Sequence, residues 1–391
     1  MQYTLTPAQV HRLATHLLLD HMALNDFGRT CPATTLLTIV FAACARLTSL
    51  CAATLGLQRV PSTETVRQAL LANLPNLHLL EQRVNKTLRA SLPRLQGRRH
   101  HLAIDLTLLP YHGQPFHEAN ELYRGQAKSG TTHFHAYATA YLIQHGQRVT
   151  LALSYVRQGE KLSDVLQRLL RWARQAGVRA KLLLLDRGFY SVEVLRYLQA
   201  ARYPFLLPVP LKGRKADHPK GPGGTRGFAC WRRGGLGSYR LHPTGGRTAT
   251  VGICVPCRNR AGRRGKKGRE RLVYAYWGWR PDHPRQVSDL YSQRFGIETS
   301  YRQMNQCRAR TCTRNPGVRL FLVAVALLLR NVWVWLHWAV LSGKRRGGRL
   351  LRLKLLTLKA LLQQLWQVAG DRFGFMMETP TERPIPDRLS A

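Results

Sequence analysis

Apolar residues recur at every third or fourth position through the first 98 residues, the spacing of helices that bury one face each. The pattern is clearest over 35–47 (TLLTIVFAACARL) and 78–92 (HLLEQRVNKTLRASL). We therefore predict an all-helical N-terminal domain over 1–98.

Within this domain, residues 49–74 have the pattern of two helices joined by a turn that contains glycine. The second helix is predicted to start at Ser62, a residue type favoured at the N-cap, and it carries Arg67. Such a pair is either a helix-turn-helix that binds DNA through Arg67 or an ordinary helical hairpin.

From residue 99 apolar residues recur at every second position, and three strands are predicted in succession. A helix (163–177), a continuously apolar strand (180–189), a helix (191–201) and a last strand (203–210) follow. The order β-β-β-α-β-α-β is the layout of an RNase H-like catalytic core of the α/β class, with a mixed five-stranded sheet and flanking helices. We assign the first part of this core to 99–210. In that layout the first and fourth strands are neighbours at the centre of the sheet.

The remaining chain is assigned by its composition. Residues 211–278 are rich in Gly and Arg but contain strand-like stretches, so we predict a β-rich basic insertion. The core resumes over 279–342. Residues 343–391 begin with the basic run GKRRGGRLLRLK and are predicted to form a basic C-terminal helical segment that contacts DNA or dimerises. A helix lying on a membrane surface is the alternative.

Residues 320–341 form an apolar stretch long enough to cross a bilayer. Arg330 and Asn331 lie at its midpoint and His337 follows, and a charged residue at the centre of a lone membrane helix is costly. We expect a helix that is buried against the sheet of a soluble domain.

Charge then narrows the class of partner. The chain has 60 Lys and Arg against 20 Asp and Glu, for a formal charge of +40 and a pI near 11.2. Because 45% of its residues are hydrophobic, it is not a disordered basic tail, and a polyanion such as DNA is the expected partner. The N-terminus has no secretory signal pattern, so we expect a cytoplasmic, nucleoid-associated protein.

Two of the few acidic residues stand in apolar strands. Asp105 lies within LAIDLTLL, and Asp186 ends KLLLLD. A buried carboxylate costs several kcal/mol unless it is paired, hydrogen-bonded or bound to metal, by the usual estimates. The RNase H-like layout brings both together, and a divalent cation relieves the repulsion between them. A turn or cap role is the alternative for either residue alone.

Residues 291–306 (YSQRFGIETSYRQMNQ) supply a third acid. If they form one helix, Tyr291, Arg294, Glu298 and Arg302 lie on one stripe together with Asn305. Leu290, Ile297 and Met304 lie on another stripe, which we expect to pack on the core. A solvated helix face is the alternative for the polar stripe. As a metal site, Asp105, Asp186 and Glu298 would hold two Mg²⁺ ions, with Mn²⁺ as a possible substitute, and leave room for a scissile phosphate.

At these residues the chain resembles a known family. AIDLT, LDRGFY and YSQRFGIETSYRQ look like the three acidic regions of DDE transposases from bacterial and archaeal insertion sequences. The third is similar to the YREK signature of the insertion-sequence-four-like group, with Tyr291, Arg294 and Glu298 at matching positions. Asn305 stands where the signature has Lys, and Arg302 or Arg308 is the candidate replacement. The resemblance covers roughly 100–340.

The resemblance implies catalytic Asp105, Asp186 and Glu298, metal-dependent cleavage of element ends, and strand transfer into target DNA. It also implies that Tyr291 and Arg294 contact the flanking strand and a hairpin intermediate. Lys128, beside the predicted second strand, is a further candidate for DNA contact.

We therefore predict a cut-and-paste transposase that binds double-stranded DNA, both element ends and target, as a homodimer and without a membrane. A DNA-binding relative that does not cut and a metal-dependent nuclease without a transfer step are the alternatives.

Overall fold

A computed structural model describes residues 4–26, 30–92, 95, 99–144, 147–215, 217–231, 233–242, 246–259, 269–345, 348–350 and 352–376. The chain divides into two compact units. The first joins Met1–Thr87 with Met304–Ala391, and the second is Leu88–Gln303.

The helices and strands have the following bounds. The helices are α1 (Pro7–Met22), α2 (Ala33–Arg46), α3 (Leu50–Leu55), α4 (Thr63–Asn73), α5 (Leu77–Ala90), α6 (Leu162–Gln175), α7 (Val192–Ala200), α8 (Arg226–Ala229), α9 (Pro284–Ser292), α10 (Gly296–Asn305), α11 (Pro316–Ala339) and α12 (Leu358–Phe373). The strands are β1 (Arg99–Pro110), β2 (Tyr123–Lys128), β3 (Thr131–Gln144), β4 (Gln147–Val156), β5 (Arg179–Leu185), β6 (Phe205–Pro208), β7 (Gly235–Leu241), β8 (Ala249–Val255), β9 (Cys257–Asn259), β10 (Arg269–Arg271), β11 (Tyr274–Trp277), β12 (Gly343–Arg345) and β13 (Gly348–Leu350).

In the first unit, α3 and α4 lie where the sequence predicts two helices, and Ser62 is the N-cap of α4. Their connection runs from Gly56 to Ser62, however, which is longer than the three or four residues of a helix-turn-helix turn. Part of it is held in extended form, because Leu57 forms a β-bridge with Phe375 and the Gln58 N–H donates to the Gly374 carbonyl. The geometry therefore departs from the standard motif.

Helix α11 is the one helix in the described part of the chain that is long and apolar enough to cross a membrane, and 94% of its most apolar window is buried. In its own unit it packs against α1 and α12. The buried polar side chains have protein partners: Arg319 donates to the Thr313 carbonyl (2.6 Å), and the His337 ring bonds the Leu356 carbonyl (2.8 Å). The apolar stretch thus supplies the core of the helical unit.

The C-terminal segment differs from the prediction. The basic run forms the antiparallel hairpin β12–β13, and the following helix begins only at Leu358, after the N-cap Thr357. Runs of Gly and Arg lack the apolar period of a helix, which explains the difference. Leu361 and Leu365 of α12 are fully buried, and α12 packs on α1 and α2. The chain itself therefore covers the apolar face that the sequence suggested for dimerisation.

The second unit is built on one mixed sheet. The order is β2-β3-β1-β5-β6-β11-β8-β7, and β4 pairs with β3 beside β2. The five predicted strands are β1, β3, β4, β5 and β6. Strand β1 is antiparallel to β3 and parallel to β5, and β5 is parallel to β6. The predicted contact between the first and fourth strands is confirmed by the β1–β5 pair.

The sheet has nine strands instead of five. Three strands of the predicted insertion extend it, because β11 pairs with β6 and then carries β8 and β7. A free edge at β6 would expose a row of unpaired backbone groups, and this pairing removes it. Strand β2, with the polar sequence YRGQAK, was not predicted because it lacks alternating apolar residues. The basic loop 260–268 lies outside the described residues.

Two faces of the sheet are covered by different helices. Alternate residues of β1, such as Leu102 and Ile104, pack in one apolar cluster with α6 and α7. Ala103 points to the opposite face, where Tyr291 and Ile297 of the later helices cover it. Asp105 shares the face of Ala103, so the alternation along β1 directs its carboxylate toward α9 and α10.

Substitution at Ser62 tests the predicted start of α4. The Ser62 hydroxyl accepts the Thr65 N–H (3.1 Å), so Ser62→Ala is expected to destabilise the protein by about 0.5–2 kcal/mol. Ser62→Asp retains a cap and should be near neutral. Thermal unfolding of both variants measures the difference, and equal loss in both would contradict the capping role.

Candidate active site

Asp105 and Asp186 lie side by side at the ends of paired parallel strands. The register pairs Ile104 of β1 with Leu185 of β5, and each is followed directly by its aspartate. Asp105 Oδ1 accepts the N–H of Leu106 (2.9 Å). Its side chain is 13% exposed, whereas that of Asp186 is 45% exposed. Two carboxylates separated by the whole β1–β5 crossover thus occupy one site.

Arg294 lies between the two carboxylates. Its Nη2 atom is 2.9 Å from Asp105 Oδ2 and 3.2 Å from Asp186 Oδ1, and only 9% of its side chain is exposed. The buried Nε of Arg294 has no hydrogen-bond partner among the described residues. One guanidinium group therefore contacts both acids with a single positive charge, while one of its own donors stays unsatisfied.

The electrostatics follow from burial. Burial raises the pKa of Asp105 to about 6; the cation of Arg294 opposes this rise and the neighbouring Asp186 adds to it. For Arg294, burial lowers the pKa, but the charges of Asp105, Tyr291 and Asp186 outweigh burial and raise it above its ordinary value. The arginine is thus fixed in its charged form by the acids that it contacts.

Residues 291–306 do not form the single helix predicted from the sequence. Helix α9 ends at Ser292, residues Gln293–Phe295 form a 3-10 turn, and α10 begins at Gly296. A 3-10 turn changes the angular position of the residues that follow, so the predicted stripe is divided.

Side chains from the sheet hold this joint between α9 and α10. Arg148 of β4 donates through Nη2 (2.6 Å) and Nε (3.2 Å) to the Gln293 carbonyl, and the His101 ring bonds Gln293 Oε1 (3.1 Å). A Cβ at Gly296 would overlap the Arg148 guanidinium, so glycine permits the close approach. The sequence analysis missed Arg148 and His101, because a contact between distant strands and a turn has no local signal.

The two parts of the stripe have different environments. Tyr291 and Arg294 are buried, whereas Glu298 and Arg302 are exposed, as is Asn305. Among the described residues, no group of three or more His, Cys, Asp or Glu side chains is close enough to hold a metal ion. The expected meeting of Glu298 with the two aspartates is therefore absent from this arrangement, because the 3-10 turn directs Glu298 to solvent. On the opposite side, Ile297 and Met304 are buried and Leu290 is half-buried, as predicted.

Tyr291 is placed by the protein. Its hydroxyl donates to the Leu185 carbonyl (3.2 Å), one residue before Asp186, and its ring contacts those of Tyr274 and Phe295. Burial raises the pKa of Tyr291 above its ordinary value. In this arrangement the hydroxyl supports the end of β5 that carries Asp186.

Tyr301 and Thr139 form a second hydroxyl contact beside the acids. Tyr301 Oη lies 2.7 Å from Thr139 Oγ1, and Thr139 pairs with Asp105 across β1 and β3. Burial raises the pKa of Tyr301 well above its ordinary value. Neither residue was predicted from the sequence, although a threonine within the apolar strand HAYATAYLI was an available signal.

The other two candidate DNA-binding residues, Lys128 and Arg67, have exposed side chains. Lys128 is exposed at the end of β2 and pairs across the hairpin with Thr131. Arg67 is exposed on α4 of the first unit and forms an ion pair with Glu64 (2.6 Å). A partner in solution can therefore contact the side chains of Lys128 and Arg67.

The chemistry of the site suits a divalent cation. Carboxylate oxygens are the ligands that Mg²⁺ and Mn²⁺ prefer, and Asp105 and Asp186 present such oxygens around one positive group. Arg294 supplies one positive charge at the place where a divalent ion would supply two. The two aspartates therefore fit the group, and Glu298 would have to approach to complete it.

Comparison with known proteins identifies a family and a similar fold. Residues 96–331 match the family model described as the transposase DDE domain. The chain is similar in fold to the structure titled "Cryo-EM structure of piggyBac transposase synaptic complex with hairpin DNA", at a TM-score of 0.57 and 12% identity over 94% of this chain and 81% of that chain. No curated protein matches the chain in sequence.

The joint between α9 and α10 gives a prediction about Gly296. Gly296→Ala forces the Arg148 guanidinium or the turn to move, so we expect a loss of about 1–3 kcal/mol in unfolding free energy, as for other overpacked sites. Gly227→Ala, which meets only the Pro222 carbonyl at 3.9 Å, is the matched control and should be neutral or mildly stabilising. Thermal unfolding reports both changes.

Adding Arg148→Ala to Gly296→Ala should remove most of the overlap. The double variant is then expected to be less destabilised than the sum of the two single variants. Additive losses would show that Gly296 and Arg148 do not interact as described.

Proposed function

The chain belongs to the DDE transposase family, and from that premise we propose that it cuts DNA at the ends of an insertion sequence and joins those ends to target DNA by a cut-and-paste route. The observation that carries the proposal is the pair of adjacent aspartates, Asp105 and Asp186, at the ends of parallel strands with Arg294 between them. A structural ion pair needs only one acid for each arginine, whereas two neighbouring acids can bind a metal ion that in turn binds a phosphate.

We assign an RNase H-like catalytic core to the second unit. The support is the order β4-β3-β1-β5-β6, with β1 antiparallel to β3 and parallel to β5. Strands β7, β8 and β11 correspond to the β-rich insertion between the second aspartate and the helix of Glu298. Of the predicted segments, the proposed parts of the core are 99–210, 211–278 and the part of 279–342 that lies in the second unit, which ends at Gln303. Residues 1–98 remain the proposed N-terminal DNA-binding domain, and 343–391 remain the proposed C-terminal segment.

Asp105, Asp186 and Glu298 are the proposed ligands of two Mg²⁺ ions, which Mn²⁺ can replace. When bound, these ions supply activation of a water or 3′-hydroxyl and stabilisation of the leaving oxygen. The burial of Asp105 keeps bulk water from one side of the site, and the Tyr291 hydroxyl fixes the strand end that carries Asp186.

Arg294 is proposed to contact a backbone phosphate beside the cleaved bond. Its guanidinium already sits at the acids, and an arginine makes charge-assisted, often bidentate contacts to phosphate. Arg302 is exposed on the same helix as Glu298. Because this chain has Asn305 where the signature has Lys, Arg302 is proposed to make the phosphate contact of that lysine. We propose that the chain belongs to the insertion-sequence-four-like group, which has the YREK signature and a hairpin intermediate. The support is the match of Tyr291, Arg294 and Glu298 to that signature.

Double-stranded DNA is the proposed partner. The formal charge of +40 suits a polyanion, and the similar piggyBac structure is a synaptic complex with hairpin DNA. We propose that two copies act together on paired ends, that Lys128 and Arg67 also contact DNA, and that the protein works in the cytoplasm on the nucleoid.

Two other functions remain as alternatives. A DNA-binding relative that does not cut would bind element ends and give no product with Mg²⁺. A metal-dependent nuclease would give cleaved ends but no joined products. Incubating the full chain with labelled element ends, target DNA and Mg²⁺ distinguishes the three, because only a transposase yields both excised ends and insertions.

Loss of each acid tests the catalytic assignment. Asp105→Asn, Asp186→Asn and Glu298→Gln should each reduce end cleavage at least about 100-fold, the scale for losing one strong electrostatic contribution to a transition state. DNA affinity should be nearly unchanged, because the basic surface supplies it. Asp164→Asn, in the first turn of α6, is the control and should cleave normally. Cleavage near the wild-type rate by any of the three would remove that residue from the active site.

Arg67 tests the role of α4 in recognising ends. If Arg67 reads a base pair, Arg67→Ala should weaken binding to terminal-repeat duplex by about 5- to 150-fold, the equivalent of 1–3 kcal/mol per base contact. Binding to scrambled duplex should change little. Arg12→Ala, another exposed arginine of the same unit, is the control for lost charge. Equal weakening on both duplexes would show that Arg67 contacts only phosphate.

A further inference from the structure

Arg294 occupies the position between Asp105 and Asp186 that a cation must share. The same Nη2 atom lies 2.9 Å from Asp105 Oδ2 and 3.2 Å from Asp186 Oδ1, which are distances of direct hydrogen-bonded contact. A divalent ion that used these two oxygens would place at least two positive charges against the guanidinium. Arginine and metal therefore compete for the same oxygens.

Arg294 can also break this contact. Its buried Nε has no partner among the described residues, and an unsatisfied buried donor makes the present position less favourable. A phosphate offers the guanidinium two oxygens in the geometry of its fork, so a new contact can satisfy Nε as well as Nη2. Arg294 thus has a reason to move toward DNA when DNA arrives.

We propose that Arg294 is an internal counter-ion that fills the metal position between Asp105 and Asp186 while DNA is absent, so that DNA phosphate and divalent metal bind cooperatively. The inference rests on the proposed function for the identity of the site, and adds a dependence of metal affinity on DNA. Because such coupling is reciprocal, metal also strengthens the arginine–phosphate contact.

The position of Glu298 agrees with this role. Glu298 lies in the first turn of α10, beyond the 3-10 turn that begins one residue before Arg294. With one guanidinium against two aspartates, a third carboxylate would add a further negative charge to a partly buried site. Movement of Arg294 to phosphate and arrival of metal remove that obstacle, so the site is completed only on DNA.

Direct measurement of metal binding tests the proposal without any cleavage assay. Mn²⁺ binding to the full chain is followed by electron paramagnetic resonance, first without DNA. Arg294→Gln should bind Mn²⁺ about 10- to 100-fold more tightly than wild type, the usual range of coupling between sites. Arg294→Lys keeps a positive charge but loses the planar guanidinium. Its Mn²⁺ affinity should lie between those of wild type and Arg294→Gln. Adding end-sequence duplex should tighten Mn²⁺ binding to wild type and change Arg294→Gln little.

Thermal unfolding provides a second readout, since Arg294→Gln leaves two neighbouring acids unpaired. The variant should unfold at a lower temperature than wild type without metal and recover when Mn²⁺ is added. The double variant Asp105→Asn with Arg294→Gln should be insensitive to Mn²⁺. Arg168→Gln, which breaks a half-buried pair with Glu160 elsewhere in the same unit, is the matched control and should not be rescued.

Equal Mn²⁺ affinity of wild type and Arg294→Gln without DNA overturns the proposal, even if the wild-type enzyme cleaves element ends. Absence of Mn²⁺ binding from every variant, with or without DNA, also overturns it, and cleavage assays then show whether the proposed function falls too. If Arg294→Gln does not fold, the same comparison is made between wild type and Arg294→Lys, for which equal affinities again contradict it.

Discussion

The site depends on the parallel pairing of β1 with β5. That pairing sets Ile104 beside Leu185 and therefore brings Asp105 next to Asp186, although the two residues are far apart in sequence. Two carboxylates in a partly buried place repel each other, and the fold must supply a positive charge to hold them there. Arg294 supplies it in this structure. The 3-10 turn between α9 and α10 places that arginine at the two aspartates.

The turn between α9 and α10 is held by hydrogen bonds from two side chains of the sheet. Arg148 and His101 hold Gln293, immediately before Arg294, while Gly296 permits the close approach of the Arg148 guanidinium. The 3-10 turn then separates the buried arginine from the exposed Glu298. A continuous helix would place those two side chains on one face. Under the proposed counter-ion role of Arg294, the acids have two arrangements, one paired with Arg294 as in this structure and one bound to metal.

Much of the core followed from sequence, because the alternation along β1, the apolar run before Asp186 and the strand order are local patterns with few topological solutions. The central placement of the two aspartates was predicted for that reason. The division of the stripe at Gln293 was not, since it depends on contacts from Arg148 and His101, and no local period records them. The pairing of the insertion with β6 and the bridge between Leu57 and Phe375 also join residues that are far apart in sequence, so no local pattern records them.

We propose that Asp105, Asp186 and Arg294 form the metal- and phosphate-binding centre of this DDE transposase. An experimental structure of the full chain with element-end DNA and Mn²⁺, with manganese located by anomalous scattering, tests it most directly. The account predicts manganese on the oxygens of Asp105 and Asp186, Glu298 brought to the metal, and the Arg294 guanidinium on a backbone phosphate. Manganese bound elsewhere, or Arg294 still paired with both aspartates beside bound DNA, would contradict it.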